Sequence, residues 1–351
     1  MIIQEYNSKD KQAWDCYVLN HPKGVAYHLI AWKEAIKKAY GFKACYLMAY
    51  NASGKKLVGV FPLIYHQVPF LKSRFVSLPY CDAAGPLGNS GDIEKALLGK
   101  AHDYIRTGIV KELSLRSARP IPGIDKNLSK HKSKVRMVLD LPNNSDTLLA
   151  SLKSKLRSQI KKPIRDGLKV EIGGKKMLGP FYKVFSENMQ HLGSPVHSYK
   201  WVQSILDNYG NRAQLVIVRM PDQTPAAGGI LLCHPNMVSV PWASSLRQFN
   251  RWNPNMLLYW TFLKLACDMG YPAFDFGRST PNEGTYRFKK QWGANPKELH
   301  WHVMKPGSQL NLDDNNEQKF SKKALASWII QSLPKSFAQF VGSNTRKYID
   351  L

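Results

Sequence analysis

Charged and aromatic residues gather after one short apolar segment in the second half of the chain. Phe274-Asp-Phe-Gly-Arg-Ser279 alternates apolar and polar residues, which predicts a strand with Asp275 facing away from the core. Gly284-Thr-Tyr-Arg-Phe-Lys-Lys-Gln-Trp-Gly293 follows, and the combined cluster contains Asp275, Arg278, Tyr286, Arg287, Lys289, Lys290 and Trp292. Since α/β folds bind ligands where polar groups converge at strand ends, we predict a ligand cleft here. Alternatively, Phe288 and Trp292 pin a short helix on the core while the charges face water.

A second basic stretch, Ser151–Lys176, has nine Lys or Arg residues against two acids. On a helix, Arg157, Lys161 and Arg165 share one face at i, i+4 spacing, with Lys162 beside them. Like charges stacked in this way repel, so the stretch is either a phosphate-binding stripe or a solvated face. The whole chain has 50 Lys and Arg against 25 Asp and Glu, and its net charge of +25 favours polyanionic partners: RNA, phosphorylated precursors or anionic membrane.

The chain contains an internal duplication with a shift of 162 residues. Without a gap, Val76-Ser-Leu-Pro-Tyr80 aligns with Val238-Ser-Val-Pro-Trp242, Gly108 with Gly270, and Arg116-Ser117 with Arg278-Ser279. The same order of strands, Pro-containing loop, helix and strand surrounds these matches. We therefore expect two similar halves, in which Val76–Pro86 is the partner of the cluster near Phe274.

The elements that position these residues are predicted from hydrophobic periodicity and from start and stop signals. We expect strands over 58–66, 74–78, 112–115, 213–219, 227–233, 237–240 and 273–276, and helices over 94–107 and 254–269. Asn253 can cap the last helix, Pro254 suits its first turn, and Gly270 suits the position after its end. Pro79 and Pro241 each stop a strand from donating ladder hydrogen bonds, which predicts that the sheet splays there.

The length of 351 residues and the 44% of apolar residues predict a globular chain of two α/β (α+β) domains. We place the domains at 1–143 and 144–305, followed by a linker and a basic amphipathic helix over 306–351. The first residues resemble no export signal, which predicts a cytoplasmic protein. Five scattered cysteines predict neither a disulfide framework nor a zinc site, and we expect no metal and no permanently bound cofactor.

Several motifs, in order, resemble the FemAB-like acyltransferases, which include the peptidoglycan-bridge aminoacyltransferases. Asp275-Phe-Gly-Arg-Ser and Tyr286-x-Phe-Lys-Lys-x-Trp-Gly are similar to the signature near the end of that family. Leu156-Arg-Ser-Gln-Ile-Lys-Lys162 resembles its basic helix. Asn188–Val196 and Leu78–Leu87 resemble the polysaccharide-associated branch of the PEP-CTERM system. The resemblance covers roughly residues 1 to 305, and its specificity lies in the combination of motifs.

The resemblance implies a tandem pair of GNAT-type domains that transfer an acyl or aminoacyl group to an amine. By motif position, Lys289, Arg157 and Lys161 are the residues carried over. The turn Arg247-Gln-Phe-Asn-Arg-Trp-Asn-Pro-Asn255 lacks the glycines that bring backbone N–H groups close to a pyrophosphate, although Arg247 and Arg251 could bind phosphate through their side chains. The donor is therefore aminoacyl-tRNA, which suits the positive charge, or acyl-CoA.

Amide formation requires a neutral amine and hydrogen-bond donors aimed at the oxyanion. Asp275 is the candidate for holding or deprotonating the amine, and Lys289 for stabilising the oxyanion or the leaving ester oxygen; a buried, structural Asp275 paired with Arg278 is the alternative. Further substrate-binding candidates are Tyr80, Asp82, Arg157, Lys161, Lys162, Trp242, Arg278, Tyr286 and Lys290. Tyr80 and Asp82 correspond to Trp242 and Ser244, so the first half either binds the acceptor or only supports the fold. We treat His191 and His197 as structural or surface residues.

After Pro306, the residues Leu325, Trp328, Ile329 and Leu333 share one helical face near Lys319, Lys322 and Lys323. Such a helix either docks on its own domain, which we favour, or lies on anionic membrane. The leading functional hypothesis is a transferase that acts on a cell-envelope precursor or polysaccharide and contacts a lipid-linked or phosphorylated sugar. The alternatives are an acyl-CoA-dependent N-acyltransferase and a non-catalytic binder of RNA or anionic glycan with the same fold.

Overall fold

A computed structural model describes residues 1–122, 134–306 and 327–350 of the chain. The helices in these ranges are α1 (Lys11–Asn20), α2 (Ile30–Tyr40), α3 (Gly91–Arg106), α4 (Ser145–Ser151), α5 (Ser154–Arg165), α6 (Leu178–His191), α7 (Tyr199–Tyr209), α8 (Pro254–Asp268), α9 (Gly284–Lys290) and α10 (Lys335–Thr345). Residues 327–332 are also helical. None of these described helices is long and apolar enough to cross a membrane.

The strands form three sheets. They are β1 (Ile2–Glu5), β2 (Leu47–Tyr50), β3 (Leu57–Phe61), β4 (Ile64–His66), β5 (Arg74–Val76), β6 (Leu87–Gly88), β7 (Leu113–Ser117), β8 (Val135–Asp140), β9 (Lys169–Gly173), β10 (Ala213–Arg219), β11 (Pro225–His234), β12 (Met237–Ser245), β13 (Ala273–Ser279), β14 (Asn295–Glu298) and β15 (His300–Met304). Sheet 1 has the order β1-β2-β3-β6, sheet 2 the order β15-β7-β5-β4, and sheet 3 the order β14-β8-β13-β12-β11-β10-β9. This is the predicted mixed α+β architecture of sheets flanked by helices.

The duplication seen in the sequence is present in the fold. In the first half, β5, α3 and β7 form a strand–helix–strand unit whose two strands are parallel. In the second half, β12, α8 and β13 form the same unit, again with parallel strands. The aligned glycines Gly108 and Gly270 follow the two helices with φ of 75° and 76°, a left-handed conformation that glycine adopts without strain. Both halves therefore share one folding plan.

The two halves exchange one strand each. Strand β8 lies in sheet 3, between β13 and β14, although it belongs to the first half in sequence. Strand β15, from the end of the second half, lies in sheet 2 and pairs antiparallel with β7. Sheets 2 and 3 thus each contain a strand from the other half of the chain. The predicted domain boundary at residues 143 and 144 comes after β8 in the sequence and therefore assigns β8 to the first domain. In the structure, β8 pairs with β13 and β14 of the second half.

The predicted splay of sheet 3 at Pro241 is confirmed. Strand β12 pairs with β13 only at Val238 and Ser239, but it continues past Pro241 to Ser245 along β11. The strand is longer than predicted because its antiparallel partner on the other side keeps pairing after β13 has diverged. In sheet 2, β5 likewise pairs with β7 only at Phe75 and Val76, just before Pro79. In each half the two parallel strands stop pairing after these residues, and the gap between them is the cleft of that half.

Helix α8 packs against sheet 3 with most of its side chains buried, which matches its uniformly apolar sequence. Pro254 occupies its first turn, and Gly270 follows its end, as predicted. Asn253 is at the N-cap position, but its side chain makes no capping hydrogen bond, because its backbone adopts a left-handed conformation with φ of 55°. The predicted side-chain cap is therefore wrong, while the predicted start of the helix is correct.

Candidate active site

Lys289 is a buried cation at the C-terminal end of β13. Its Nζ donates hydrogen bonds to Gly277 O at 3.1 Å and Arg278 O at 2.7 Å, and the residue is only 8% exposed. Burial lowers the pKa of Lys289 to about 8, against the opposing effect of the Asp275 and Asp82 carboxylates. An ammonium group has three N–H donors, and two of them are used by these carbonyls. The site therefore holds a poorly solvated ammonium group whose pKa, about 8, is close to neutral pH.

Asp275 is buried and forms an ion pair with Arg136 on β8, at 2.8 Å between Oδ2 and the guanidinium. Its Oδ1 accepts a hydrogen bond from Gly277 N at 2.8 Å. The partner of Asp275 is thus Arg136 and not Arg278, because the exchanged strand β8 brings Arg136 across the sheet. Arg136 was not predicted as a site residue, since nothing in the local sequence near Asp275 signals a partner 139 positions away. Both carboxylate oxygens of Asp275 are engaged in positioning contacts.

Gly277 forms a bulge in β13 that aims two carbonyl groups at Lys289. The pairing with β8 shifts register between Asp275 and Arg278, and Gly277 has a φ of 74°. A Cβ at this position would lie 3.6 Å from Val240 O, which is ordinary contact, so space does not require glycine. The left-handed backbone does require it, because this conformation costs other residues roughly 1–2 kcal/mol.

Gly277→Ala is expected to lower the free energy of unfolding by about 1–2 kcal/mol and to reduce transfer, because the strained backbone displaces the carbonyls that hold Lys289. Urea unfolding and a transfer assay measure the two effects. Gly99→Ala on α3 is the control: no atom lies within 4 Å of the new methyl group, and alanine favours a helix, so the variant should be as stable as the parent or more stable. Equal stability of the two variants would contradict the role of the bulge.

The first half contributes Asp82 to this site. Its Oδ2 accepts a hydrogen bond from Arg278 N at 3.1 Å, and its Oδ1 lies 3.6 Å from the Arg278 guanidinium. The indole of Trp301 on β15 donates to Asp82 O at 2.9 Å. The Trp301 ring also lies 5.2 Å from the guanidinium of Arg278 and 5.6 Å from that of Arg116, its counterpart in the duplication. Trp301, which sequence reasoning missed, therefore links the two duplicated positions.

Tyr80 and Trp242, the aligned aromatic residues of the two halves, meet at one aromatic cluster. Tyr80 lies 5.0 Å from the His197 ring and 5.3 Å from the Trp201 ring, and Trp242 lies 5.2 Å and 6.2 Å from the same two rings. His197 is buried, and the Tyr40 hydroxyl lies 2.7 Å from its Nδ1. Burial lowers the pKa of His197 well below its usual value, so the ring is neutral. Of the two roles predicted for His197, structural or surface, its burial fits the structural one.

The basic helix α5 stands apart from this site. The Arg157 guanidinium donates hydrogen bonds to Ala150 O and Leu152 O, at 3.1 Å and 2.7 Å. These are backbone carbonyls at the C-terminal end of α4. Lys162 pairs with Asp166, and Lys161 is exposed. The contacts that these three basic residues make with the described part of the chain do not include the Lys289 site. The predicted stripe is thus a separate surface.

A cavity of about 630 Å³ lies between the start of α5 and helix α9. Its basic residues are Lys153, Arg287 and Lys290, and the Lys290 ammonium lies 5.7 Å above the Tyr286 ring. The cavity is lined on one side by the beginning of the basic stretch, at residues 151–153, and on the other by residues of the 284–293 motif. Lys290 therefore lines this cavity and Tyr286 lies next to Lys290, whereas Lys289 faces β13.

Arg247 and Arg251 lie on the 3-10 helix Arg247–Trp252, immediately before α8. Both are exposed, and the Arg251 guanidinium is 3.7 Å from the centre of the Trp252 ring. This turn contains no glycine and is bulky, as expected from the sequence. Within the described residues, no three His, Cys, Asp or Glu side chains come together as a metal site would require.

The chain is similar to one sequence family and to several solved structures. Residues 150–290 match the sequence family described as acetyltransferase (GNAT) domain. Among solved structures, FemX aligns with a TM-score of 0.69 at 17% identity, over 86% of this chain and 97% of that one. L-PGS from Bacillus licheniformis aligns with a TM-score of 0.54 at 12% identity, over 95% of this chain and 100% of that one.

A tandem GNAT protein from the clavulanic acid biosynthesis pathway also aligns, with a TM-score of 0.52 at 11% identity, over 88% of this chain and 99% of that one. A search of curated proteins finds no match. At these identities the structural likeness concerns the fold, which agrees with the predicted GNAT-type architecture. The second half of the chain therefore carries an acetyltransferase domain of the GNAT type, and the protein is an acyltransferase by its matching domain.

Proposed function

We propose that the protein transfers an acyl or aminoacyl group to an amine on a cell-envelope precursor or polysaccharide, in the manner of FemAB-like enzymes. The observation that carries the proposal is Lys289, a buried ammonium held by two backbone carbonyls beside the cleft between β12 and β13. A cation in a poorly solvated site stabilises developing negative charge far better than one in water. These observations support the end of β13 as the place of the reaction.

In the proposed step the acceptor nitrogen forms a bond to the acyl carbon, and the bond from that carbon to the donor's leaving atom breaks. The third N–H of Lys289 stabilises the oxyanion or the leaving atom. Asp275 positions Gly277 and Arg136, since both of its oxygens are engaged. Both oxygens of Asp82 are also engaged, by Arg278, but the Asp82 side chain is 25% exposed and that of Asp275 only 5%, so an amine can reach Asp82 and pass its proton to it. We therefore assign deprotonation to Asp82 rather than to Asp275.

The donor is proposed to be an aminoacyl-tRNA, with acyl-CoA as the alternative. The net charge of +25 attracts a polyanion, and the cavity near Lys153 and Lys290 adds local positive charge. The turn before α8 offers no glycine to approach a pyrophosphate, but the exposed Arg247 is available for a phosphate. Either donor is a co-substrate and leaves after each transfer.

A donor screen by mass spectrometry tests the proposal. The purified protein is incubated with acyl-CoA, acyl carrier protein or charged tRNA, each with amino-sugar precursors as acceptors, and new amide products are measured. We expect product from charged tRNA, and product from acyl-CoA alone would identify the alternative donor. Salt-sensitive binding of RNA without any product would instead contradict the proposed enzyme and support a non-catalytic binder.

We also propose that the protein contacts anionic membrane through its last helices. Gln331 donates to His191 O and Lys335 pairs with Glu187, so this region docks on α6, as we favoured from the sequence. Its other side leaves Trp328, Ile329, Phe337 and Phe340 exposed. The predicted residues Lys319, Lys322, Lys323 and Leu325 lie outside the described ranges. The docked face and the exposed aromatic face are compatible, because they are opposite sides of the same region.

Trp328→Ala combined with Phe340→Ala is expected to weaken binding to vesicles containing phosphatidylglycerol at least tenfold, because two large exposed side chains no longer insert. Co-sedimentation with vesicles measures the change. Replacing the exposed aromatic residue Tyr199 on α7 with alanine is the control and should leave vesicle binding unchanged. Unchanged binding of the double variant would reject membrane contact.

A further inference from the structure

Residues Arg346–Asp350 (the 346–350 segment) fill the cleft of the first half. Asp350 O accepts a hydrogen bond from Tyr80 N at 2.9 Å and another from the Arg116 guanidinium at 2.5 Å. The Asp350 carboxylate pairs with Arg116 at 2.7 Å and with Arg74 at 2.9 Å. One aspartyl residue thus offers both a backbone carbonyl and a carboxylate to the same arginine.

Lys347 O is held at the same cleft. It accepts a hydrogen bond from the Tyr80 hydroxyl at 2.6 Å, and His66 Nε2 lies 3.1 Å from it. The Arg346 guanidinium lies 5.8 Å from the centre of the Tyr80 ring. These contacts involve Arg346 and Lys347 at the start of the segment and Asp350 at its end, so the segment is bound in the cleft as a ligand would be, through its backbone and through its charges.

The segment lies at the position in the first half that corresponds, by the duplication, to the cleft of the second half. Tyr80 and Arg116 correspond to Trp242 and Arg278, which lie at the cleft of the second half. Tyr80 has a φ of 65°, a conformation that is costly for a tyrosine and that aims its N–H at Asp350 O. Backbone strain of this kind is concentrated at sites that bind ligands. The first half has therefore kept a built cleft at the position where the second half has its candidate active site.

The chemistry of the cleft requires an anion. Arg116 is 2% exposed, and within the described residues Asp350 supplies the carboxylate at ion-pair distance from it. A buried guanidinium left without a counter-charge is strongly unfavourable, so whatever replaces the segment must bring a negative group of its own. Burial acts to raise the pKa of Asp350, but the charges of Arg116 and Arg74 prevail and keep that pKa below its usual value. The carboxylate is therefore bound as an anion.

We propose that the cleft of the first half is a binding site for a carboxylate-bearing ligand with a neighbouring carbonyl oxygen, as in an aspartyl residue, and that the 346–350 segment occupies this site until such a ligand displaces it. The ligand would exchange the contacts of Asp350 for its own with Arg116, Arg74 and Tyr80 N. This site is separate from the Lys289 site, and its existence does not depend on the proposed transfer reaction.

The test uses the full-length protein and two synthetic peptides, with acetylated and amidated ends. The first peptide has the sequence Arg-Lys-Tyr-Ile-Asp of the segment, and the second has asparagine in place of aspartate. The wild-type segment competes from within the chain at a high effective concentration, so the wild type should bind the first peptide weakly. Asp350→Asn weakens this competitor, and we expect calorimetry to show at least tenfold tighter binding of the first peptide, with the asparagine peptide at least tenfold weaker.

Two further variants complete the experiment. Asp92→Asn removes an exposed carboxylate on α3 and should bind the peptide as weakly as the wild type. Adding Arg74→Gln to Asp350→Asn should weaken peptide binding, because Arg74 contacts the carboxylate but is itself partly exposed, so that its loss leaves the fold intact. Equal binding by the wild type and Asp350→Asn, or equal binding of the two peptides, would overturn the proposal.

Discussion

Lys289→Met is expected to lower the rate of transfer at least ~100-fold, since removing one preorganised donor to an oxyanion costs about 10²–10³ in rate. Methionine fills nearly the same volume, so the loss would come from the ammonium and not from a cavity. The assay is product formation with the donor that the screen identifies. Lys200→Met, an exposed lysine on α7, is the control and should retain the parent rate. Full activity of Lys289→Met would remove Lys289 from the mechanism.

The same variant has a second expected signature, in stability against pH. Because the pKa of Lys289 is about 8 in the folded protein and near 10.5 unfolded, unfolding takes up a proton between these values. The unfolded state binds more protons there, so this group makes the free energy of unfolding rise with pH, by about 2 kcal/mol from pH 7 to 9.5. Well below pH 8 Lys289 is protonated in both states, so it gives the free energy of unfolding no pH dependence there.

Urea unfolding of the wild type and Lys289→Met at pH 7 and 9.5 isolates this effect, because the other groups titrate alike in both proteins. The difference in stability between them should shift by about 2 kcal/mol in favour of the wild type at the higher pH. This readout separates a buried, perturbed lysine from one that is merely needed for activity. A difference that does not change with pH would show that Lys289 is solvated in the folded protein.

Asp275→Asn is expected to lower the free energy of unfolding by about 3–5 kcal/mol, because it leaves the Arg136 guanidinium buried without a counter-charge. Chemical denaturation measures the loss. Asp103→Asn breaks an exposed pair with Arg106 on α3 and should cost less than about 1 kcal/mol.

The double variant Asp275→Asn with Arg136→Met should recover part of the lost stability, because it removes the unpaired charge itself. This outcome would identify Asp275 as a residue that positions β13 against β8. If Asp275→Asn instead kept full stability and lost all transfer activity, Asp275 would act on substrate, as the sequence had led us to expect.

Local signals were sufficient to predict the repeated strand–helix–strand units. The start of α8 at Pro254 and the left-handed Gly108 and Gly270 follow from backbone constraints that act within a few residues. Lys289 was singled out for a different reason, because it matches the lysine of the motif that resembles the FemAB-like family. The splay at Pro241 follows from the missing N–H of proline.

The partners across the sheets could not be predicted. Arg136 reaches Asp275 only because β8 pairs with β13 of the other half. Arg278 contacts Asp82, which lies in the loop between β5 and β6, and Trp301, which lies on β15. Such contacts depend on how strands pair over long separations, and periodicity within a strand carries no information about that choice. The occupation of the first cleft by the 346–350 segment is equally non-local.

The exchange of β8 and β15 has a consequence for the history of the chain. Each duplicated half now supplies one strand to a sheet of the other half. Neither half can therefore be deleted or moved to another protein without removing a strand from a sheet of the other half. Selection therefore acts on the two halves together, since a change in residues 135–140 alters a sheet of the second half and a change in residues 300–304 alters a sheet of the first half.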